Sequence, residues 1–98
     1  MGAAGVLTAG VRDQEPSVRL EAVAALSAVG GAAARQALAG VLRQDPDPTV
    51  RLEAAYALAP FAGEEDSGGA LHAALADPDR SVREAVTWIL ASRLKRPK

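Results

Sequence analysis

The chain has 98 residues, enough for one domain, and because it contains no cysteine, a disulfide framework and a thiolate metal site are both excluded. Hydrophobic residues make up 49% of the chain but aromatic residues only 3%, so a core must consist of Ala, Leu and Val. The residues before Arg93 hold seven basic and twelve acidic side chains, and this acidic balance argues against nucleic-acid binding, which depends on phosphate neutralisation.

The chain shows no recognisable membrane or secretion signal. No apolar run approaches the ~18 residues of a membrane-spanning helix, and residues 1–10 lack the basic start of a secretory signal. We therefore expect a soluble, cytoplasmic protein with no membrane partner.

The predicted elements are six helices, and no strand pattern lies between them. They are expected near 3–11, 16–29, 32–43, 48–60, 67–76 and 80–94. Pro16 and Pro48 each mark a first helical position, and Asp47 is a suitable N-cap before Pro48. Gly30 and Gly31 end the second helix, because glycine readily adopts the backbone conformation that terminates helices.

Apolar residues recur at helical spacing within each predicted helix. The predicted core faces are Val6, Leu7 and Val11; Val18, Ala22, Ala25, Leu26 and Val29; Leu38, Val41 and Leu42; Val50, Ala54, Ala57 and Leu58; Leu71, Ala74 and Leu75; and Val82, Val86, Ile89 and Leu90. Since every helix has such a face, we expect three antiparallel helix pairs.

One pattern occurs three times along these helices, with a period of 32 residues. Each copy holds an Asp in a loop and, six residues later, an Arg in the following helix. The aspartates are Asp13, Asp45 and Asp77, and the arginines are Arg19, Arg51 and Arg83. A period of this length is typical of a solenoid, in which each unit buries its apolar face against its neighbours.

The string Asp-Pro-x-x-(Ser/Thr)-Val-Arg-x-x-Ala-x-x-Ala-Leu resembles the short HEAT-like repeat of the phycobilin-lyase type. The first copy departs from it, with Gln14 where a Pro is expected after the Asp. The resemblance implies an all-α fold, an α-solenoid of three HEAT-like helix pairs that form an α-α superhelix. It implies a single repeat domain over residues 1–94, with repeats of about 1–29, 30–61 and 62–94, and a basic tail at 95–98.

In this family, the loop Asp and the helix Arg form a ladder between neighbouring repeats, and the ladder sets the angle at which the units stack. The resemblance therefore assigns a structural role to Asp13, Arg19, Asp45, Arg51, Asp77 and Arg83. The chemistry suits this role, because an Asp in a tight loop accepts hydrogen bonds from loop N–H groups and from an arginine fork. Ligand binding is the alternative role for the same residues.

The second helix of each pair lines the concave surface in such solenoids, so its residues outside the core are candidates for contact with a partner. The predicted protein-binding residues are Leu20, Leu52, Tyr56 and Trp88, bordered by Glu53 and Glu84. An exposed apolar and aromatic surface with an acidic border is typical of an interaction hot spot. The alternative for Trp88 is that it folds over the open end of the last repeat.

The sequence offers little that would support catalysis or cofactor binding. His72 is the chain's only histidine, which excludes a histidine-based metal cluster, and no glycine-rich phosphate loop occurs. We therefore expect a non-enzymatic scaffold, without cofactor or metal, that binds a protein or peptide on its concave face. The alternative is a small accessory or regulatory subunit of a phycobilin-lyase-like system, which would hold a chromophore or a client protein.

The open ends of the predicted solenoid are candidates for self-association, because an end without a polar capping repeat exposes an apolar helix face. The helix predicted at 3–11 is apolar, and the basic tail at 95–98 has a charge that complements the acidic loops. A homo-oligomer through the open repeat ends and a monomer with frayed ends are both consistent with the sequence.

Overall fold

The computed structural model describes residues 9–94, which contain five complete α-helices and no strand; residues 9 and 10 are also helical. The helices are α1 (Pro16–Val29), α2 (Gly31–Gln44), α3 (Pro48–Leu58), α4 (Glu65–Ala73) and α5 (Arg80–Leu94). Short 3₁₀ turns follow α3 at Ala59–Phe61 and α4 at Ala74–Ala76. The all-α solenoid prediction is confirmed. Most of the helix predicted at 3–11, and the tail at 95–98, lie outside the described residues.

The helix boundaries follow from local chemistry at most positions. Pro16 and Pro48 stand at the start of α1 and α3, and Asp47 caps α3 by accepting a hydrogen bond from the N–H of Thr49, at 2.7 Å. Gly30 ends α1 with a φ of 72°, and its N–H donates to the carbonyl of Leu26 at 2.9 Å. The predicted starts of α1 and α3 and the predicted end of α1 are therefore confirmed.

Boundaries of α2, α3 and α4 differ from the prediction. Helix α2 spans Gly31–Gln44 rather than 32–43, so Gly31 begins α2 instead of ending the helix before it, and the α-helical part of α4 ends at Ala73 rather than near residue 76. The α-helical part of α3 ends at Leu58 rather than near residue 60 and continues as a 3₁₀ turn, because Pro60 has no N–H for the carbonyl of Tyr56. Helix α4 begins at Glu65 rather than near residue 67, and the carbonyl of Glu64 accepts from the N–H of Gly68 at 2.7 Å.

The five helices form two layers. Helices α1, α3 and α5 lie side by side in one layer, and α2 and α4 lie side by side in the other. Consecutive helices also contact each other across the layers, so the chain alternates between the two. The layer of α1, α3 and α5 contains all the predicted protein-binding residues, and the loops that lead into these three helices contain the ladder aspartates.

One apolar core lies between the layers and runs from Val23 on α1 to Ile89 on α5. Most predicted core residues belong to it, but Val29 and Leu75 are 50% and 43% exposed, which contradicts the prediction for both. Val29 is the last residue of α1, and Leu75 lies in the 3₁₀ turn after α4, so both lie where the helical register ends. Val23 is only 2% exposed because α1 packs against both α2 and α3, which widens its buried face beyond a single stripe.

Candidate functional site

The loop aspartates share one local geometry in all three repeats. Oδ1 of each Asp accepts a hydrogen bond from the N–H two residues later, at 2.9 Å in every case. The three pairs are Asp13 with Glu15, Asp45 with Asp47, and Asp77 with Asp79. This side-chain turn fixes the orientation of each carboxylate.

Two arginines each bind the loop Asp of the following repeat through a bidentate contact. Arg19 donates from Nε and Nη2 to the carboxylate of Asp45, at 2.8 and 3.2 Å, and Arg51 donates in the same way to Asp77, at 2.9 and 3.0 Å. In each arginine, Nη1 donates instead to a main-chain carbonyl, that of Asp13 at 2.9 Å for Arg19 and that of Asp45 at 2.8 Å for Arg51. Each arginine therefore connects two successive loops. We call each bidentate pair a rung.

The rung of Arg51 and Asp77 is largely buried, with side-chain exposures of 11% and 6%. The pKa of Arg51 is raised, mainly by its hydrogen bond to Asp77. Burial raises the pKa of Asp77, but the hydrogen bonds from Arg51 and from the N–H of Asp79 outweigh burial, so the net effect lowers this pKa. Both groups are therefore charged at neutral pH, and removal of either would leave its partner buried without a counter-charge.

The remaining two ladder residues form no rung among residues 9–94. Asp13 is exposed, and no arginine of this range binds its carboxylate. Arg83 donates from Nη1 to the carbonyls of Asp77 and Pro78, at 2.8 and 3.0 Å, but to no carboxylate in the same range. The structure thus joins four of the six predicted ladder residues in two rungs. Their role in setting the stacking angle stays a prediction.

The predicted protein-binding residues lie on α1, α3 and α5. We call Leu20, Leu52, Tyr56 and Trp88 the apolar strip. Tyr56 and Trp88 are 49% and 67% exposed, whereas Leu20 and Leu52 are half-buried and pack against the core. The exposure of Trp88 leaves most of its indole ring accessible to a partner.

A groove of about 590 Å³ between α1 and α3 brings three of the predicted residues together: Leu20, Glu53 and Tyr56. Its other lining residues, which are not among the predicted protein-binding residues, are Val23, Ala24, Ser27, Thr49 and Ala57, and Ala57 belongs to a predicted core face. The repeat offered a signal for one of them, because Ala24 lies one period before Tyr56 and therefore occupies the same position in its helix.

The other three predicted residues do not line this groove. Leu52 is on α3 and packs against the core, and Trp88 is on the neighbouring helix α5. Glu84 accepts a hydrogen bond from Nε of Arg80 at 2.9 Å, and both side chains are well exposed, so this pair contributes only a few tenths of a kcal/mol, about 0.3–0.5.

Features that would indicate other functions are few in the part of the chain that the structure describes. His72 is exposed, with Nδ1 at 2.8 Å from the carbonyl of Gly68. Residues 9–94 contain no group of three or more His, Cys, Asp or Glu that could hold a metal ion. None of the five described helices combines the length and the apolar character needed to cross a membrane.

Comparison with known families gave one result. The model of HEAT repeats matches residues 2–59 and, in a second alignment, residues 41–98. A search of curated proteins found no significant relative. The two matches together cover nearly the whole chain and overlap in its central repeat.

Proposed function

Because the chain belongs to the HEAT-repeat family, whose members are commonly protein-interaction scaffolds, we propose that it is a non-catalytic scaffold that binds a protein or peptide on the layer of α1, α3 and α5. The observation that carries this proposal is the exposure of Tyr56 and Trp88, at 49% and 67%, on neighbouring helices of that layer. Large aromatic side chains dominate interaction hot spots, because they bury much apolar area at little cost in side-chain entropy.

The groove between α1 and α3 supports the proposal that a partner binds on this layer. Its apolar lining, which includes Leu20 and Val23, can accept an aliphatic side chain of the partner, while the Tyr56 ring forms part of the wall. Glu53 is exposed at the groove and can pair with a basic group of the partner. The proposed ligand is therefore a segment that presents both apolar and basic side chains.

A random peptide library displayed on phage can test the proposal. Peptides selected on the intact protein should bind Tyr56→Ala about 5–30-fold more weakly than wild type, which corresponds to ~1–2 kcal/mol. The melting temperature should hardly change, because Tyr56 is half exposed. Leu75→Ala is the matched control, since it also truncates an exposed apolar residue but lies outside this layer.

Selected peptides that bind Tyr56→Ala and Leu52→Ala as tightly as wild type would show that another face is used. Protein purified from its host with a coloured tetrapyrrole bound would instead favour the role of holding a chromophore.

A further inference from the structure

The α5 end of the ladder carries the guanidinium of Arg83. In both complete rungs, Nη1 of the arginine donates to the main-chain carbonyl of the loop Asp six residues earlier. Arg83 makes the same contact with Asp77, at 2.8 Å, and a second with Pro78, at 3.0 Å. The guanidinium is therefore already held as in Arg19 and Arg51, while its Nε and Nη2 bind no carboxylate among residues 9–94.

The other end of the ladder carries the carboxylate of Asp13. The carboxylate of Asp13 accepts the N–H of Glu15 at 2.9 Å, the same turn that orients Asp45 and Asp77 for their arginines. In this described range no arginine binds it, and Asp13 is exposed. One end of the ladder thus offers a preformed donor and the other a preformed acceptor.

The surface beside Arg83 also has the character of a contact between repeats. Thr87 is exposed on α5, whereas Ala55 and Val23, which occupy the same position one and two periods earlier, are 0% and 2% exposed. Ala73 is likewise exposed, whereas Val41, one period earlier, is 5% exposed. These positions become buried when a further repeat stacks on them.

We propose that Arg83 of one copy binds Asp13 of a second copy, so that copies of this chain stack end to end and the ladder continues across the junction. The donor and acceptor are complementary in charge and in the bidentate geometry that the two internal rungs display. Both side chains are held by local hydrogen bonds before contact, which reduces the entropy lost on binding. The contact is head to tail, so each copy can bind a further copy at either end, and assemblies larger than a dimer form as stacks that are open or closed into a ring.

This junction uses surfaces other than the apolar strip and does not depend on the proposed scaffold function. Sedimentation velocity of the intact chain over a range from micromolar to millimolar concentration measures it. We expect the average mass to rise with concentration and to pass the dimer mass. Arg83→Asp and Asp13→Arg, each alone, should raise the dissociation constant at least about tenfold, because each places two like charges at the junction.

An equimolar mixture of the two variants gives the decisive result. In the mixture, Asp at position 83 of one variant meets Arg at position 13 of the other, and the unchanged Arg83 meets the unchanged Asp13. The mixture should therefore associate within about threefold of wild type, since opposite charges meet at both junctions. Recovery also shows that both variants are folded.

Arg80→Asp is the matched control. It makes the same charge change one turn away on α5, at a side chain that is 81% exposed and outside the ladder, and it should associate like wild type. A wild-type protein that stays monomeric over the whole concentration range would overturn the proposal. So would association of Arg83→Asp that equals wild type, or a mixture that remains as weak as its components.

Discussion

The side chain of Arg51 contacts two successive loops at once. Its Nε and Nη2 bind the next loop through Asp77, while its Nη1 binds the main chain of Asp45, whose carboxylate in turn holds Arg19. Arg83 occupies the same position in the last repeat but is held only by carbonyls of its own loop within residues 9–94. Among residues 9–94, the arginine at this position therefore connects two loops in one repeat and contacts only its own loop in the next.

Arg51→Ala should destabilise the protein more than Arg83→Ala. The first substitution leaves the buried carboxylate of Asp77 without its main counter-charge, at a cost of ~1–3 kcal/mol, whereas the second removes only contacts to carbonyls of one loop. Unfolding free energies from urea titrations of both variants measure the difference. Arg80→Ala controls for loss of an exposed arginine, and equal, negligible effects of Arg51→Ala and Arg83→Ala would show that the rung adds nothing to stability.

At the scale of the helices, the sequence alone predicted the boundaries that local chemistry determines. It did not predict the features that depend on packing between helices. The starts of α1 and α3 were predictable because Pro16 and Pro48 are compatible only with a first turn or a break. The start of α4 was not predictable, because Glu64 makes no side-chain cap that would mark it. The position of this start depends instead on packing against the preceding turn. Val23 was missed for a similar reason, since its burial depends on which helices flank α1.

Substitutions at two adjacent glycines of α4 can distinguish the effect of packing on stability from the effect of helix propensity. A Cβ at Gly68 would stand 2.7 Å from the carbonyl oxygen of Ala62, whereas a Cβ at Gly69 would meet only the end of the Arg43 side chain, at 3.5 Å. Gly68 is buried and Gly69 is exposed. Since the obstacle at Gly68 is backbone, it cannot be relieved by a change of rotamer.

Gly68→Ala should therefore destabilise the protein by ~1–3 kcal/mol through overcrowding, although alanine is the better helix former. Gly69→Ala should stabilise it by ~0.5–1 kcal/mol, because it reduces the backbone freedom of the unfolded chain without a clash. Thermal melts of the two variants, followed by far-UV circular dichroism, compare them directly. A stabilising Gly68→Ala would mean that the turn before α4 shifts easily and does not fix where the helix begins.

For the whole molecule, the apolar core and the ladder are two independent connections between repeats. The core is continuous from Val23 to Ile89, and the two rungs join the successive loops on one edge.

The period of 32 residues identified the six ladder residues, but it could not show that Arg19 binds the carboxylate of Asp45 rather than that of Asp13, because every repeat has the same local spacing. That choice depends on how the repeats stack. The groove between α1 and α3 depends on stacking as well, so only part of its lining was predictable.

The ladder also makes the stability of the whole molecule depend on pH. The folded state lowers the pKa of Asp77, so the unfolded chain takes up a proton there before the folded protein does. The stabilisation is therefore complete above the unfolded value of about 3.9 and is lost as pH falls below it, through the lower pKa of the folded state. Asp77→Asn should be less stable than wild type by ~1–3 kcal/mol at neutral pH, because Arg51 loses its buried counter-charge.

The difference in unfolding free energy between Asp77→Asn and wild type should be constant from pH 7 to about 5 and should shrink progressively below about pH 4. Urea titrations at a series of pH values measure it. Glu53→Gln removes an exposed carboxylate from α3 outside the ladder, so it controls for the change in net charge. A difference between Asp77→Asn and wild type that stays constant down to pH 2 would contradict the prediction. It would mean that the folded state does not lower the pKa of Asp77, so that Arg51 stabilises the ionised carboxylate no more than the protonated carboxyl.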